Sequence, residues 1–491
     1  MLRVADRPAI AAACVRVAER EAFLALVLAM LVVFLLRLAP HQLVADSWLA
    51  LVAGREVVAH GLPARDTLTI WTDGVEWIDQ QWLAHVVLYG LAAVGGLKLA
   101  LVVNVSVIGG SFAAAAIAAR RFGASARSVA FTALPCIFAS VWAYQLRAQT
   151  LAYPLFIAVL WLLAADSRHP SRRVLLVAPI LSVWANVHGS AALGAVLVCI
   201  YGMTVVGRVL ARRDPVRTVV VGRALAVTLM APLCLFASPY GLSLIDYYRS
   251  VLANQTLSRL VVEWQPSTPS ALTAVFFALA FATVWLVARQ PGLLTPFERV
   301  ALASTMLGGL AALRNIVWFA FTALMLLPVL VDAVAPVREA AKRRLSVLLA
   351  SAAAAGIVAV AADAARLPES WYTNGLPAQA ATAVAQAAAT DPDLRIFATE
   401  PYADWLLWER PELARRIAFD VRFELLSEPQ FRSVLDLYEL RRRWRGPVRG
   451  YGLVVLEPTR KHLRHALLAE RGARVLYAGP KATVVFRDQG R

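Results

Sequence analysis

Apolar runs close to twenty residues long recur between positions 22 and 363, each ended by a short polar or basic stretch. The hydrocarbon core of a bilayer, about 30 Å thick, needs roughly 17 to 25 apolar residues per helix. The pattern predicts about eleven transmembrane helices, near 22–38, 98–119, 127–144, 150–165, 174–187, 190–211, 218–237, 271–288, 298–313, 316–335 and 345–363. The first run has charged neighbours, no small-residue cleavage pattern and ten further runs behind it, so it reads as a span and not as a removable signal.

Two other patterns stand out. DSWLALVAGREVVAHG (46–61) and QQWLAHVVLYGLAAVGG (80–96) carry apolar residues at helical spacing and predict amphipathic helices in the membrane interface, with Trp48 at headgroup level, framing a cavity. From about 385 the period shortens. RIFATE, RIAFDV, GLVVLE and the pair ARVLYA/ATVVFR read as strands, and ADWLLWE, EPQFRSVLDLYELRRRW and TRKHLRHALLAERG as helices. That alternation predicts a small α/β domain with a largely parallel sheet, closed by a hairpin at Gly479-Pro480-Lys481 and preceded by a short linker and an Ala-rich helix. The expected organisation is an N-terminal tail (1–21), a membrane domain (22–363) whose first outer loop covers 39–97, and a C-terminal domain outside the membrane (364–491).

Composition agrees with the pattern: 59% of residues are hydrophobic and 16% charged, against roughly 45–50% and about 25% in soluble domains. The net charge of +17 does not indicate a nucleic-acid partner, because it sits in short connectors. The stretches 118–127, 166–173, 211–217, 289–299 and 338–344 hold fifteen basic residues against four acidic ones. The positive-inside rule makes these connectors, and with them the N-terminus, cytoplasmic, and puts the C-terminal domain on the other side. Cys14, Cys136, Cys199 and Cys234 form neither a C-x-x-C pattern nor a disulfide framework. No Walker A loop, G-x-G-x-x-G unit or H-E-x-x-H appears, so nucleotide hydrolysis and zincin chemistry lack support.

Polar chemistry collects on the face opposite the basic connectors. The first outer loop sets Asp46, Glu56, Asp66, Asp73, Glu76 and Asp79 against Arg55 and Arg65 alone. Asp46, just past the membrane exit, is placed to act as a base or metal ligand at the lip of an apolar cavity, or to cap the helix that follows. Asp66, after GLPAR, is a second acid or a turn carboxylate. Glu76, Asp79 and Gln81 with Gln80 gather before the second amphipathic helix. Arg147 with Gln149, and Arg314 with Asn315, stand at outer ends of spans, where arginine anchors to headgroups or holds a phosphate or diphosphate. Asn186 and His188 lie in a tight turn between spans, the histidine being a base, a metal ligand or a turn hydrogen-bonder. Tyr240 in SPYG is a site residue or an interface aromatic. Glu263 beside Trp264 suits hydrogen bonding and stacking of a sugar. Asp420 and Arg422 end the strand RIAFDV, where α/β sheets commonly bind ligands.

In order, the Asp-Ser-Trp at 46–48, the G-R-x-V-x-x-H-G-L-P-x-x-D stretch through Asp66, I-D-Q-Q-W-L (78–83), L-R-A-Q (146–149), W-A-N-V-H-G (184–189), S-P-Y-G (238–241), E-W-Q-P (263–266), R-N-I (314–316), F-A-T-E-P-Y-A-D-W-L-L-W and A-F-D-V-R resemble a bacterial branch of the GT-C superfamily. These are multi-spanning glycosyltransferases that use polyprenyl-phosphate-linked sugars. The resemblance covers nearly the whole chain. It implies a polytopic α-helical fold with an extracytoplasmic domain in the bacterial inner membrane, a first-loop carboxylate (Asp46) as catalytic or metal-binding residue, and a cell-envelope glycan, lipid or protein as acceptor. The sequence departs from the commoner paired acids: Ser47 and Trp48 follow Asp46, and Gln81 stands where an acid is expected, which leaves a divalent-metal cofactor open. The alternative is a non-catalytic protein of the same fold that binds or moves lipid-linked glycan, or scaffolds an envelope complex. An ion-coupled transporter is disfavoured because no carboxylate lies mid-span.

Overall fold

The computed structural model describes residues 7–211, 218–252, 261–335, 343–373 and 375–488. Most of the basic connectors 211–217 and 338–344, residues 253–260 between the predicted spans 218–237 and 271–288, and the first six residues of the N-terminal tail lie outside the described residues.

Every predicted span falls on a helix. These are α1 (Arg7–Arg37), the second half of α3 (Trp82–Arg121), α4 (Ala126–Ala139), α5 (Ala148–Arg168), α6 (Val177–Val187), α7 (Ala191–Leu210), α8 (Thr218–Leu235), α10 (Ala274–Arg289), α11 (Pro296–Ala311), α12 (Ile316–Val334) and α13 (Arg343–Arg366). Among the described residues this region also holds α2 (Ala45–His60) and α9 (Leu244–Leu252). Among the described residues, six helical stretches are long and apolar enough to cross a membrane: Trp82–Arg121, Ala148–Arg168, Ala191–Leu210, Thr218–Leu235, Leu313–Val334 and Leu348–Arg366. The chain is a multi-pass membrane protein. Several predicted spans are shorter than expected because tight turns consume their ends: α6 starts only after a 3-10 turn at Arg172–Leu176, and another at Leu313–Asn315 separates α11 from α12.

Helix α12 is apolar all round, and Ile316 to Pro328 are all buried. Such a helix belongs in the centre of a bundle, and α3, α4, α5, α10 and α11 pack against it. Tyr153, Phe156, Trp184, Trp318 and Phe321 interlock in edge-on and tilted contacts at its upper end. Ion pairs fasten the helix ends at both faces: Arg168 to Glu298 at 2.6 Å on the face of the basic connectors, Arg37 to Asp363 at 2.8 Å on the other.

The two amphipathic segments form differently than the pattern suggests. The second is continuous with a span: α3 breaks at Gly95 and Gly96, where Gly96 takes φ +68, and then runs on. The first, α2, is not an interfacial anchor. Trp48, Leu51 and Val52 are buried between α3 and the C-terminal domain, each such side chain contributing about 1.5–3 kcal/mol. At Gly54 the helices touch so closely that a Cβ would lie 2.1 Å from the His85 carbonyl oxygen.

The C-terminal domain carries α14 (Ala378–Thr390), α15 (Glu400–Glu409), α16 (Glu428–Tyr438) and α17 (Lys461–Leu468) around strands β1 (Ile396–Ala398), β2 (Leu453–Leu456), β3 (Arg474–Ala478) and β4 (Thr483–Phe486). Their order is β1-β2-β4-β3, with β1–β2 parallel and the other two pairs antiparallel. The sheet is therefore mixed and not largely parallel, because the hairpin at Gly479–Lys481 returns β4 between β3 and β2. RIAFDV makes only isolated parallel bridges at Ile417, to Ile396 on one side and to Thr69 on the other. Through them the first outer loop becomes an edge of the sheet: Ile70 N–H donates to Ile417 O at 2.8 Å, and Trp71 N–H to Ala418 O at 2.9 Å.

A buried ion cluster locks this junction. Arg422, 2% exposed, bridges Asp420 and Asp66, with Nη2 2.7 Å from Asp66 Oδ1, and lies 4.2 Å from the centroid of the Trp77 ring. Burial opposes the charge on Asp66, but the Arg422 guanidinium and hydrogen bonds from Thr72 and the Leu68 N–H hold its carboxyl below the usual range. Its contribution to stability is therefore complete above the unfolded value of about 4 and is lost as pH falls through the lower folded-state value. Removing one partner of a buried pair strands the others, so Arg422→Met is expected to cost about 3–5 kcal/mol. Thermal melting in detergent checks this, with the exposed Arg441→Met as reference, expected to lose less than about 1 kcal/mol. Equal melting of the two variants would remove the cluster from this role.

Candidate functional site

A cavity of about 410 Å³ opens between the membrane bundle and the C-terminal domain. Among the sequence-predicted residues that line it are Asp46, Gln81, Arg147, Gln149, His188, Glu263, Arg314 and Asn315. They arrive from the ends of α2, α3, α5, α6 and α12 and from the turn Val262–Trp264, which is how a helical bundle gathers polar groups without placing them mid-span.

Asp46 sits in the first turn of α2 but does not cap it. The N-cap is Val44, whose N–H donates to Ser47 Oγ at 3.0 Å. The Asp46 carboxylate instead faces Arg147, with Oδ2 3.2 Å from Nε, and its side chain stays 39% exposed at the cavity. Arg147 also donates through Nη1 to Glu263 at 2.6 Å. Arg314 stands 3.9 Å from the other oxygen of Glu263, beyond hydrogen-bonding distance, and 4.4 Å from the centroid of the Trp264 ring. Burial opposes ionisation of Glu263, but the two guanidiniums hold its carboxyl below the usual range. Arg314 is thus the less engaged cation on this wall, and Gln149 braces it by donating to its carbonyl at 3.4 Å.

His188 is not placed as a base. Its Nδ1 accepts from the Ser190 N–H at 3.0 Å, which puts the ring proton on Nε2. Burial, reinforced by Arg314, Arg147 and His85, holds its pKa well below the ordinary value. The ring is a neutral N–H donor at the cavity wall.

Three predicted residues are used elsewhere. Asp66 is fully buried, and its oxygens accept from Leu68 N–H, Thr69, Thr72 and Arg422; it is a turn carboxylate and clamp, away from the cavity wall. Asn186 accepts from Trp82 Nε1 at 2.9 Å and donates to the Ser182 and Ala237 carbonyls. Tyr240 donates to Pro63 O at 3.0 Å, fixing the loop that leads to Asp66.

The cavity also uses groups that sequence reasoning passed over. His85 lines it while its Nδ1 lies 3.0 Å from Asp79; the two are six positions apart across a turn, without a diagnostic spacing. Tyr247 and Tyr248 of α9 supply an aromatic wall. From the C-terminal domain comes Glu424, beside Arg422, which its place at the end of RIAFDV already marks and whose Nη1 is buried without a hydrogen-bond partner among the described residues. Burial pushes the Glu424 carboxyl up to about 7, with Arg422 opposing and Asp420 and Asp46 adding to the rise.

Among the described residues no three His, Cys, Asp or Glu side chains converge as a ligand set for a metal ion. The charged group beside Asp46 is an arginine, so this donor set does not fit a divalent cation.

No family model and no curated protein matches the sequence. Among solved structures, the chain is similar to ArnT from Cupriavidus metallidurans bound to undecaprenyl phosphate (16% identity, TM-score 0.49, covering 93% of this chain and 97% of that one). It is also similar to the same protein in the apo state (16%, 0.47, 90% and 93%) and to an oligosaccharyltransferase from Archaeoglobus fulgidus (11%, 0.49, 89% and 69%).

The position of Glu424 gives a direct expectation. A protonated-carboxyl infrared band should disappear with a midpoint near pH 7 in the wild-type protein and be missing from Glu424→Gln. A band that titrates in the ordinary range of about 4 to 5 would show that the carboxyl is solvated.

Proposed function

We propose that this protein is a membrane glycosyltransferase that moves a sugar from a polyprenyl-phosphate donor to a cell-envelope acceptor, at the face of the membrane that carries the C-terminal domain. The observation that carries this reading is the composition of one cavity wall. A partly exposed carboxylate, two arginines, a neutral imidazole N–H and a tryptophan-flanked acid meet at the boundary between an apolar bundle and an extramembrane domain.

In the reaction Asp46 takes the proton from an acceptor hydroxyl, whose oxygen attacks the anomeric carbon. The carbon–oxygen bond to the donor phosphate breaks, and the phosphate leaves with the electron pair. Attack from the side opposite the phosphate inverts the anomeric configuration. The charge that develops on the leaving phosphate is the one the site must stabilise, and Arg314, loosely held at 3.9 Å from Glu263, is the cation available to do it. Gln149 and Asn315 flank that cation, and His188 adds an N–H. Arg147 couples the two halves of the site: it holds Asp46 and Glu263 together, so a phosphate that draws Arg147 toward itself frees Asp46 to act as a base. Trp264 offers a face on which a sugar ring stacks. The metal left open by sequence has no place in these steps.

Asp46→Asn is expected to lower release of polyprenyl phosphate from a panel of polyprenyl-phosphate sugars by about 10²–10⁴-fold while leaving binding of polyprenyl phosphate intact. Arg314→Gln should weaken that binding roughly tenfold, since it removes a charge-assisted contact. Equal turnover of the donors by Asp46→Asn and the wild type would remove Asp46 as the base, and binding of polyprenyl phosphate with no turnover by either would make the protein a non-catalytic binder or scaffold of the same fold.

A further inference from the structure

A second cavity, of about 560 Å³, lies at the opposite end of α5. Helix α5 begins beside Arg147 and ends at Arg168; at 1.5 Å per residue its 21 residues separate the two cavities by about 31 Å, the thickness of a hydrocarbon core. This cavity is on the face of the basic connectors and shares no residue with the first.

Its polar end is cationic. Arg208, in the last turn of α7, and Arg223, in the second turn of α8, both line it. Asp166 lines it too, but its oxygens are occupied by the Tyr201 hydroxyl and by the Ser171 N–H at 2.6 Å. Among the described residues the buried Nε of Arg223 has no hydrogen-bond partner and Arg223 makes no ion pair. An arginine set into an apolar helix with an unsatisfied buried N–H is costly unless something binds it. The rest of the wall is apolar, with Val205, Val219, Val220 and Phe297, and Val219 is 68% exposed on the outer surface of the bundle. A cationic end joined to an apolar wall that reaches the lipid-facing surface matches one kind of occupant by charge and by shape. The volume falls within the roughly 300–1,000 Å³ of small-molecule sites.

We infer that this cavity binds the phosphate of an anionic phospholipid headgroup from the leaflet facing the basic connectors, with Arg223 as its principal donor and the acyl chains along α7 and α8. The site is independent of the sugar-transfer reading, since none of its residues touches the first cavity.

The test is native mass spectrometry of the full chain released from micelles that contain equal amounts of phosphatidylglycerol and phosphatidylcholine. The wild type should retain phosphatidylglycerol about tenfold more than phosphatidylcholine, and Arg223→Gln should abolish that preference, the loss of one charge-assisted donor being worth about that factor. Arg415→Gln, an exposed arginine of the C-terminal domain, should change nothing. Arg223→Lys, which keeps the charge and loses the planar fork, should retain an intermediate preference and serves if the glutamine variant does not fold. Displacement of the lipid by millimolar inorganic phosphate would keep the phosphate chemistry and overturn the lipid as its source. Equal retention of both lipids by the wild type, or an undiminished preference in both Arg223 variants, would overturn the site.

Discussion

The buried guanidinium of Arg422 is the interaction on which the rest of the architecture depends. A charge removed from water at a junction between two parts of a protein is stable only if its partners stay in place, and here the partners come from both parts: Asp66 from the first outer loop and Asp420 from the end of a strand segment in the C-terminal domain. The backbone makes the same connection, because residues 68–71 pair with 415–418 as one edge of the sheet. The C-terminal domain is therefore not tethered by a linker alone. Its chain passes directly from Arg422 to Glu424, so the clamp that joins the parts also sets the roof of the cavity.

The same logic governs the opposite wall. Arg147 and Arg314 are largely withdrawn from water at the ends of spans, and each needs a counter-charge. Glu263 serves both, and Asp46 serves Arg147 as well. With two carboxylates to two guanidiniums the wall is balanced when nothing is bound, yet unevenly so, because Arg147 is engaged twice and Arg314 only at 3.9 Å. Binding of an anion on such a wall is an exchange of partners, with no bare charge in either state. The neutral His188 adds a donor without adding charge, which is the form of polar group least costly to keep in a dry pocket.

What sequence made legible follows the range of the physics involved. Spans were readable because burial in lipid demands about twenty apolar residues in a row, a local property. Arg147, Glu263 and Arg314 were readable as site candidates because charge beside such a run is conspicuous. The strands of the C-terminal domain were readable from their apolar runs, but not their directions, since the pairing of β4 with β2 is decided by how a hairpin docks. Asp66 looked as catalytic as Asp46; what separates them is Arg422, 356 positions away. Trp48 looked like an interface aromatic because nothing local reveals that the C-terminal domain covers α2. Glu424 carries no sequence signal at all, its altered acidity being a product of burial beside Asp420 and Asp46.

The distribution of charge along α5 explains why one bundle supports two polar cavities. From Leu151 to Ala165 the helix carries no charged side chain, and its buried residues there pack against apolar neighbours in α3, α6, α7 and α12. Charges placed within that stretch would have to be paired at the cost of burying both members. The chain instead confines them to the two ends, where Arg147 meets Asp46 and Glu263, and Asp166 meets the Tyr201 hydroxyl of α7 and the Ser171 N–H. Short turns deliver those groups: Asn315 and Arg314 from the 3-10 turn before α12, His188 from the turn between α6 and α7, Ser171 from the turn after α5. The apolar middle fixes the distance between the cavities, and the turns fix the chemistry in each. Substitutions in the turns can therefore alter what either cavity binds without disturbing the packing that holds the two apart.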